Sequence, residues 1–120
     1  MTIMDDGIIL QEVKELMGIE ADTTAFDSVI RSYINSALFT LNQLGVGPTE
    51  PFSIDTTTTL AEFESQIPKD MLLNYLYLKT KLIFDPPTSG ALTDVYNNRI
   101  SELEFRMSIV IDNGNGVIVG

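Results

Sequence analysis

Apolar residues recur at steps of three and four along most of the chain, and this spacing predicts α-helices. The first two helices are predicted at about residues 8–17 and 26–44. Gly45 directly follows the second, where glycine often ends a helix because it adopts left-handed backbone angles without strain. Before that helix, Thr24 and Asp27 have the spacing of a capping box, with Asp in place of the usual Glu.

The helical pattern disappears between residues 45 and 59, which contain two prolines, two glycines and four consecutive threonines. This composition predicts a loop. Phe52 and Ile54 are apolar within it, and they are interpreted either as anchors on the core or as part of a lobe that contacts a partner. The threonines offer N-caps for a short helical turn at residues 60–64.

Residues 71–84 are apolar on nearly every side, which predicts a helix buried at the centre of a bundle. Pro68 fits the first helical position, where its missing N–H has no cost. The apolar segment is shorter than the roughly 18 residues that a membrane span needs. The helix must end at Asp85-Pro86-Pro87, because proline restricts the residue before it and donates no hydrogen bond.

A last helix is predicted after this turn, ending at Asp112-Asn113-Gly114, with one face against the central helix. At about 100° per residue, Phe105 and Ile109 lie roughly 200° and 240° around from Leu103, on the side away from the core. Two large apolar residues there need cover. Either another segment of the same chain, such as the first helix, packs over them, or they form a subunit interface.

These patterns together predict an all-α fold, a small bundle of about four helices with a central buried helix and a helical hairpin turning at Asp85-Pro86-Pro87. Residues 1–112 are predicted to form a single helical domain that includes the 45–59 loop. Residues 113–120 are predicted to be a flexible or partner-binding C-terminal tail. Its Val117-Ile118-Val119 segment does not suit an amphipathic helix, so we expect a frayed terminus or a short strand that pairs with a partner.

The charge balance restricts the partners of this domain. Seventeen acidic residues against seven basic ones give a formal net charge of -10, so the average surface repels phosphate backbones and anionic lipids. We therefore expect neither tight nucleic-acid binding nor membrane binding. The chain has no Cys and no His, which removes thiol chemistry, the commonest metal ligand and the commonest general base.

Carboxylate pairs are the remaining candidates for catalysis. Glu12 and Glu15 share a helical face and have the Glu-x-x-Glu spacing of all-helical nucleotide pyrophosphohydrolases, but the second such pair that these enzymes need is missing. Two other acidic pairs have a spacing of two residues, which directs their side chains to different faces of a helix: Glu62 with Glu64, and Glu102 with Glu104. Solvated charge explains all three pairs, and we expect no enzymatic activity, metal or cofactor.

The C-terminal half of the chain resembles a known family. Residues 75–89, YLYLKTKLIFDPPTS, together with Tyr96 and the ISELEFR segment at 100–106, resemble the head-to-tail connector proteins of tailed bacteriophages. These are also called head-completion or DNA-packaging adaptor proteins. The resemblance is close over residues 67–108, and the first half of the chain agrees only in the layout of its helices.

The resemblance implies an all-α subunit that assembles as a ring of twelve copies beneath the portal protein. The ring would extend the DNA channel and offer a docking surface to the next tail or stopper protein, with DNA passing nearby without specific binding. It also implies a place in the virion neck after assembly in the host cytoplasm, with the tail at Val117-Ile118-Val119 engaging the portal. The alternative function is a small helical regulatory module for protein–protein interaction.

Overall fold

A computed structural model describes residues 7–114, and within this range the chain forms four α-helices, one short 3-10 turn and no β-strand beyond an isolated bridge. The helices are α1 (Ile9–Leu16), α2 (Asp27–Gln43), α3 (Lys69–Phe84) and α4 (Gly90–Gly114), with the 3-10 turn at Leu60–Glu62. This confirms the predicted all-α bundle.

The end of α2 follows the predicted glycine signal. Gly45 has a φ of +86°, in the left-handed region. The N–H of Val46 donates to the carbonyl of Leu41 at 2.9 Å and the N–H of Gly45 donates to that of Asn42 at 3.0 Å. These two bonds satisfy carbonyls that the end of a helix would otherwise leave unpaired.

The start of α2 differs from the prediction, because the capping box between Thr24 and Asp27 does not form. Instead, Asp27 lies 2.8 Å from the ammonium group of Lys14, whose side chain is fully buried. The same ammonium donates to the carbonyls of Ala21 at 3.3 Å and Thr23 at 2.8 Å. A buried cation requires partners of this kind, so the carboxylate is taken by Lys14 on α1.

The 45–59 loop packs against the bundle, which confirms the anchoring interpretation. Ile54 is buried, and the ring of Phe52 packs edge to face on Phe63 with 5.1 Å between ring centroids. Asn35 of α2 holds the loop backbone by accepting a bond from the N–H of Ile54 at 2.6 Å and donating to its carbonyl at 3.2 Å. The loop is therefore fixed to α2 by side-chain as well as apolar contacts.

Two acidic side chains order the run of threonines. The Asp55 carboxylate accepts bonds from the N–H of Thr57 at 2.8 Å and the hydroxyl of Thr58 at 2.9 Å. These bonds lower the pKa of Asp55, and the bond from the Thr57 backbone has the largest effect. The Glu62 carboxylate accepts from the N–H of Thr59 at 2.7 Å, which caps the 3-10 turn as predicted.

Helix α3 lies at the centre of the bundle, since α1, α2 and α4 all pack against it. Its buried residues are Leu72, Leu73, Tyr75, Leu76, Leu78 and Thr80. Pro68 lies one position before the helix rather than inside its first turn. No helix among residues 7–114 is both long and apolar enough to cross a membrane.

Helices α3 and α4 form the predicted hairpin, with Asp85-Pro86-Pro87 between them. The Ser89 hydroxyl accepts a bond from the N–H of Leu92 at 3.1 Å and so caps α4. The buried side of α4 consists of Ile100, Leu103, Met107 and Ile111. Tyr96 packs on the core, whereas Val95 is 58% exposed, so Tyr96 lies on the inner face of α4.

Candidate functional site

The outer side of α4 carries two large apolar side chains. Phe105 is 65% exposed and Ile109 is 42% exposed. Each is two residues from the fully buried Met107, so each lies about 160° around the helix from the centre of its buried face. No segment among residues 7–114 covers them, and the alternative that α1 does so is wrong. Their role as a subunit interface stays a prediction.

An ion pair lies next to this apolar pair. The Arg106 guanidinium lies 2.8 Å from the Glu102 carboxylate, one helical turn away. Both side chains are at least half exposed, so the ion pair adds at most about 0.5 kcal/mol to helix stability. The ion pair also neutralises two charges that lie close to Phe105 in the chain.

Polar contacts with α3 fix the rotation of α4. The Tyr75 hydroxyl donates to the Glu104 carboxylate at 2.7 Å. The pKa of Tyr75 is raised well above its usual value of 10.0, mainly by burial and to a smaller extent by the bond to Glu104. Burial, together with the neighbouring Tyr96, likewise raises the pKa of Tyr77. Because Glu104 precedes Phe105 in the chain, the bond from Tyr75 holds Phe105 in its outward direction.

The Asp85-Pro86-Pro87 turn has the surroundings of a structural element. The Lys81 ammonium pairs with Asp85 at 3.1 Å, across the end of α3. Phe84 packs edge to face on Phe26 with 5.3 Å between ring centroids, which joins the end of α3 to the start of α2. These contacts favour a role in fixing the hairpin, and nothing at the turn indicates chemistry.

A second exposed aromatic residue was missed by the sequence analysis. Phe39 on α2 is 52% exposed. Val29 and Leu44 are also more than a third exposed, whereas Ile34 is fully buried. The absence of charged residues from positions 32–49 was the available signal.

The acidic pairs do not converge. Among the residues that the structure describes, no group of three Asp, Glu, His or Cys side chains is placed to hold a metal ion. Glu12 and Glu15 on α1 therefore have no third acidic partner within this range. The remaining site prediction, Val117-Ile118-Val119, lies outside the described residues.

One comparison with known proteins identifies a relationship. A family model described as phage connector protein matches residues 9–114, which span all four helices. No curated protein and no solved structure shows a significant match. The family match covers most of the chain, including the first half, where the sequence resemblance had reached only the layout of the helices.

Proposed function

Because this chain belongs to the phage connector protein family, whose role is to connect head and tail of the virion, we propose that it is a ring-forming adaptor that docks beneath the portal. In this proposal the ring surrounds the DNA channel and offers its far side to the next tail or stopper protein. The subunit is structural and carries out no catalytic step.

The observation that carries the proposal is the exposed apolar pair on α4. Phe105 and Ile109 lie on the side of the helix away from α3, so they contribute little to the folded monomer. Contact of these apolar side chains with water is unfavourable, and binding of a partner over them would remove this unfavourable contribution. A subunit that works only in an assembly has a use for such a surface.

The charge of the chain suits a channel through which DNA passes. The formal net charge is -10. A negatively charged channel wall repels the DNA phosphates, so DNA does not bind to it by releasing counterions. DNA then slides through the ring without binding to it.

The proposed contact with the portal is the C-terminal tail. The described chain ends in α4 at Gly114, and Val117-Ile118-Val119 follow a Gly/Asn-rich segment. Three consecutive β-branched residues suit addition of a strand to an exposed sheet edge. In this proposal the tail binds the portal, while the outer side of α4 binds the neighbouring copy.

Sedimentation with purified portal rings from the same phage genome tests the proposal. We expect the chain to sediment with the portal in a fixed ratio, and a variant shortened to residues 1–114 to lose this co-sedimentation while keeping its helical circular dichroism. If the full chain stays in the supernatant at every concentration, the adaptor function is wrong and the regulatory module becomes the better account.

A further inference from the structure

The apolar pair on the outer side of α4 lies close to the point where the C-terminal tail begins. Phe105 and Ile109 are one helical turn apart along α4 and about 40° apart around it, so their side chains form one surface. Gly114, the last described residue, belongs to the same helix. At 1.5 Å per residue, it lies about 7.5 Å beyond Ile109 and about 13.5 Å beyond Phe105. The tail therefore starts a short distance from this surface.

The length of the tail matches the distance back to the pair. An extended chain rises about 3.3 Å per residue. If the tail turns back along α4, residues 117–119 lie between about 10 and about 16.5 Å from Gly114, which is level with residues 103–107 of the helix. Val117-Ile118-Val119 would then lie alongside Phe105. The Asn-Gly pairs in residues 113–116 favour such a reversal of the chain.

The charges around the pair also suit the tail. Asp112 and Glu102 are exposed, and they lie about 20° and about 60° around α4 from Phe105. The side chains of residues 113–120 carry no charge, and three of them are apolar. This segment can therefore lie beside the acidic side chains without repulsion while it covers the apolar ones.

The other exposed apolar side chains near the tail form no common surface. An added Cβ at Gly45 would lie 3.7 Å from the side chain of Ile111, so the end of α2 is next to the end of α4. Leu44 is 39% exposed and Phe39 is 52% exposed, but they point about 140° apart around α2. Among the described residues at this end, the pair on α4 is therefore the larger continuous apolar surface.

We propose that in the free subunit Val117-Ile118-Val119 folds back over Phe105 and Ile109 of the same chain. The inference rests on the proposed adaptor function, in which the portal binds the tail and the neighbouring copy binds the outer side of α4. One tail cannot bind the portal and cover α4 at the same time, so portal binding uncovers the pair. Subunit contacts then form on the portal and not between free copies.

Cross-linking within the isolated chain tests this contact, because the chain contains no cysteine of its own. Gly120 of an extended tail would lie about 20 Å from Gly114, level with the exposed Ser101. In the double variant Gly120→Cys with Ser101→Cys, a short thiol-specific cross-linker should join the two thiols of one chain. Portal rings should reduce this product at least about tenfold, because they bind the tail.

Gln43→Cys with Gly120→Cys is the matched control. Gln43 is exposed near the end of α2, within reach of the tail but on another helix. That variant should give no intramolecular product. Both variants are treated at low protein concentration, and mass spectrometry distinguishes links within one chain from links between chains.

Self-association without portal tests the consequence. Ile118→Asp places a charge in the apolar segment and should release the tail from α4. If the open form is at most about a tenth of the free parent chain, the variant should self-associate at about a tenth of the parent concentration or less, by sedimentation velocity. Asn115→Asp makes the same charge change in the tail without removing an apolar side chain, and it should behave as the parent chain does.

Three results would overturn the inference. No product from the Ser101→Cys variant, or equal products from it and the Gln43→Cys variant, would show that the tail does not cover the pair. Equal self-association of Ile118→Asp and the parent chain would show that the tail does not block the subunit contact. None of these results touches portal binding, which sedimentation with portal rings measures separately. Failure of the full chain to bind the portal would refute the adaptor function, and with it the coupling, even if the cross-link forms.

Discussion

Replacing Phe105 by Glu should prevent assembly and leave the fold intact. A phenylalanine side chain offers about 200 Å² of surface, so an exposure of 65% leaves about 130 Å² available to a partner. At about 25 cal/mol per Å², covering this area contributes about 3 kcal/mol to each subunit contact. The substitution removes that contribution and adds a negative charge to an acidic subunit, so each contact should weaken by at least about 100-fold.

The assay combines a measurement of assembly with one of folding. Sedimentation velocity of the chain with portal rings gives the assembled fraction, and far-ultraviolet circular dichroism gives the helix content. Asn97→Glu is the control, because it makes the same charge change at another exposed position of α4. Asn97 lies about two helical turns before Phe105 and about 80° away from it around the helix axis. Its replacement by Glu removes no apolar area. We expect the control to assemble nearly as the parent chain does.

Three results would refute the reasoning about Phe105. Assembly of Phe105→Glu at the parent concentration would show that the ring does not use this surface. Loss of helix content would show that Phe105 supports the fold of the subunit, in spite of its exposure. Equal loss of assembly in Asn97→Glu would assign the effect to charge alone.

Three further predictions concern the fold that presents this surface. Tyr75→Phe should lower the free energy of unfolding by about 1–2 kcal/mol in urea denaturation, because Glu104 loses a charge-assisted bond. Since the folded-state pKa of Tyr75 is raised, this stabilisation is fully present below the usual value of 10.0 and is lost as pH rises further, so the difference between parent and variant should narrow above it. Gly47→Ala should cost about 2–4 kcal/mol, because Gly47 has a φ of +93° and an added Cβ would lie 2.5 Å from the Phe63 ring. Gly90→Ala should instead be neutral or stabilise by up to about 1 kcal/mol, because no atom lies within 4 Å of the added Cβ. Thermal unfolding of the two glycine variants checks both values. A lower melting temperature for Gly90→Ala than for Gly47→Ala would contradict them.

Helices and their ends were predictable wherever the signal is local. Gly45 ends α2 and Asp85-Pro86-Pro87 ends α3 because glycine and proline restrict their own backbone, whatever surrounds them. The capping box at Asp27 was wrong because the carboxylate bonds to the buried Lys14, which lies on another helix. Periodicity shows where a side chain points and cannot show which distant group meets it.

The candidate interface was predictable only in part, for the same reason. The outward direction of Phe105 and Ile109 follows from helical geometry, and the structure shows in addition that no described segment covers them. Phe39 was missed because helical spacing alone does not show which residues outside the predicted apolar face of α2 are exposed. How much of a helix is buried depends on how many neighbours pack on it, and here α2 leaves the side with Phe39 to solvent.

Electron microscopy of portal rings mixed with the chain shows directly whether the subunits form a ring beneath the portal. We expect an additional ring of this protein, coaxial with the portal and continuing its channel, with the outer side of α4 in each copy against its neighbour. Portal rings without added density at saturating concentrations of the chain, or with single copies at scattered positions, would contradict it.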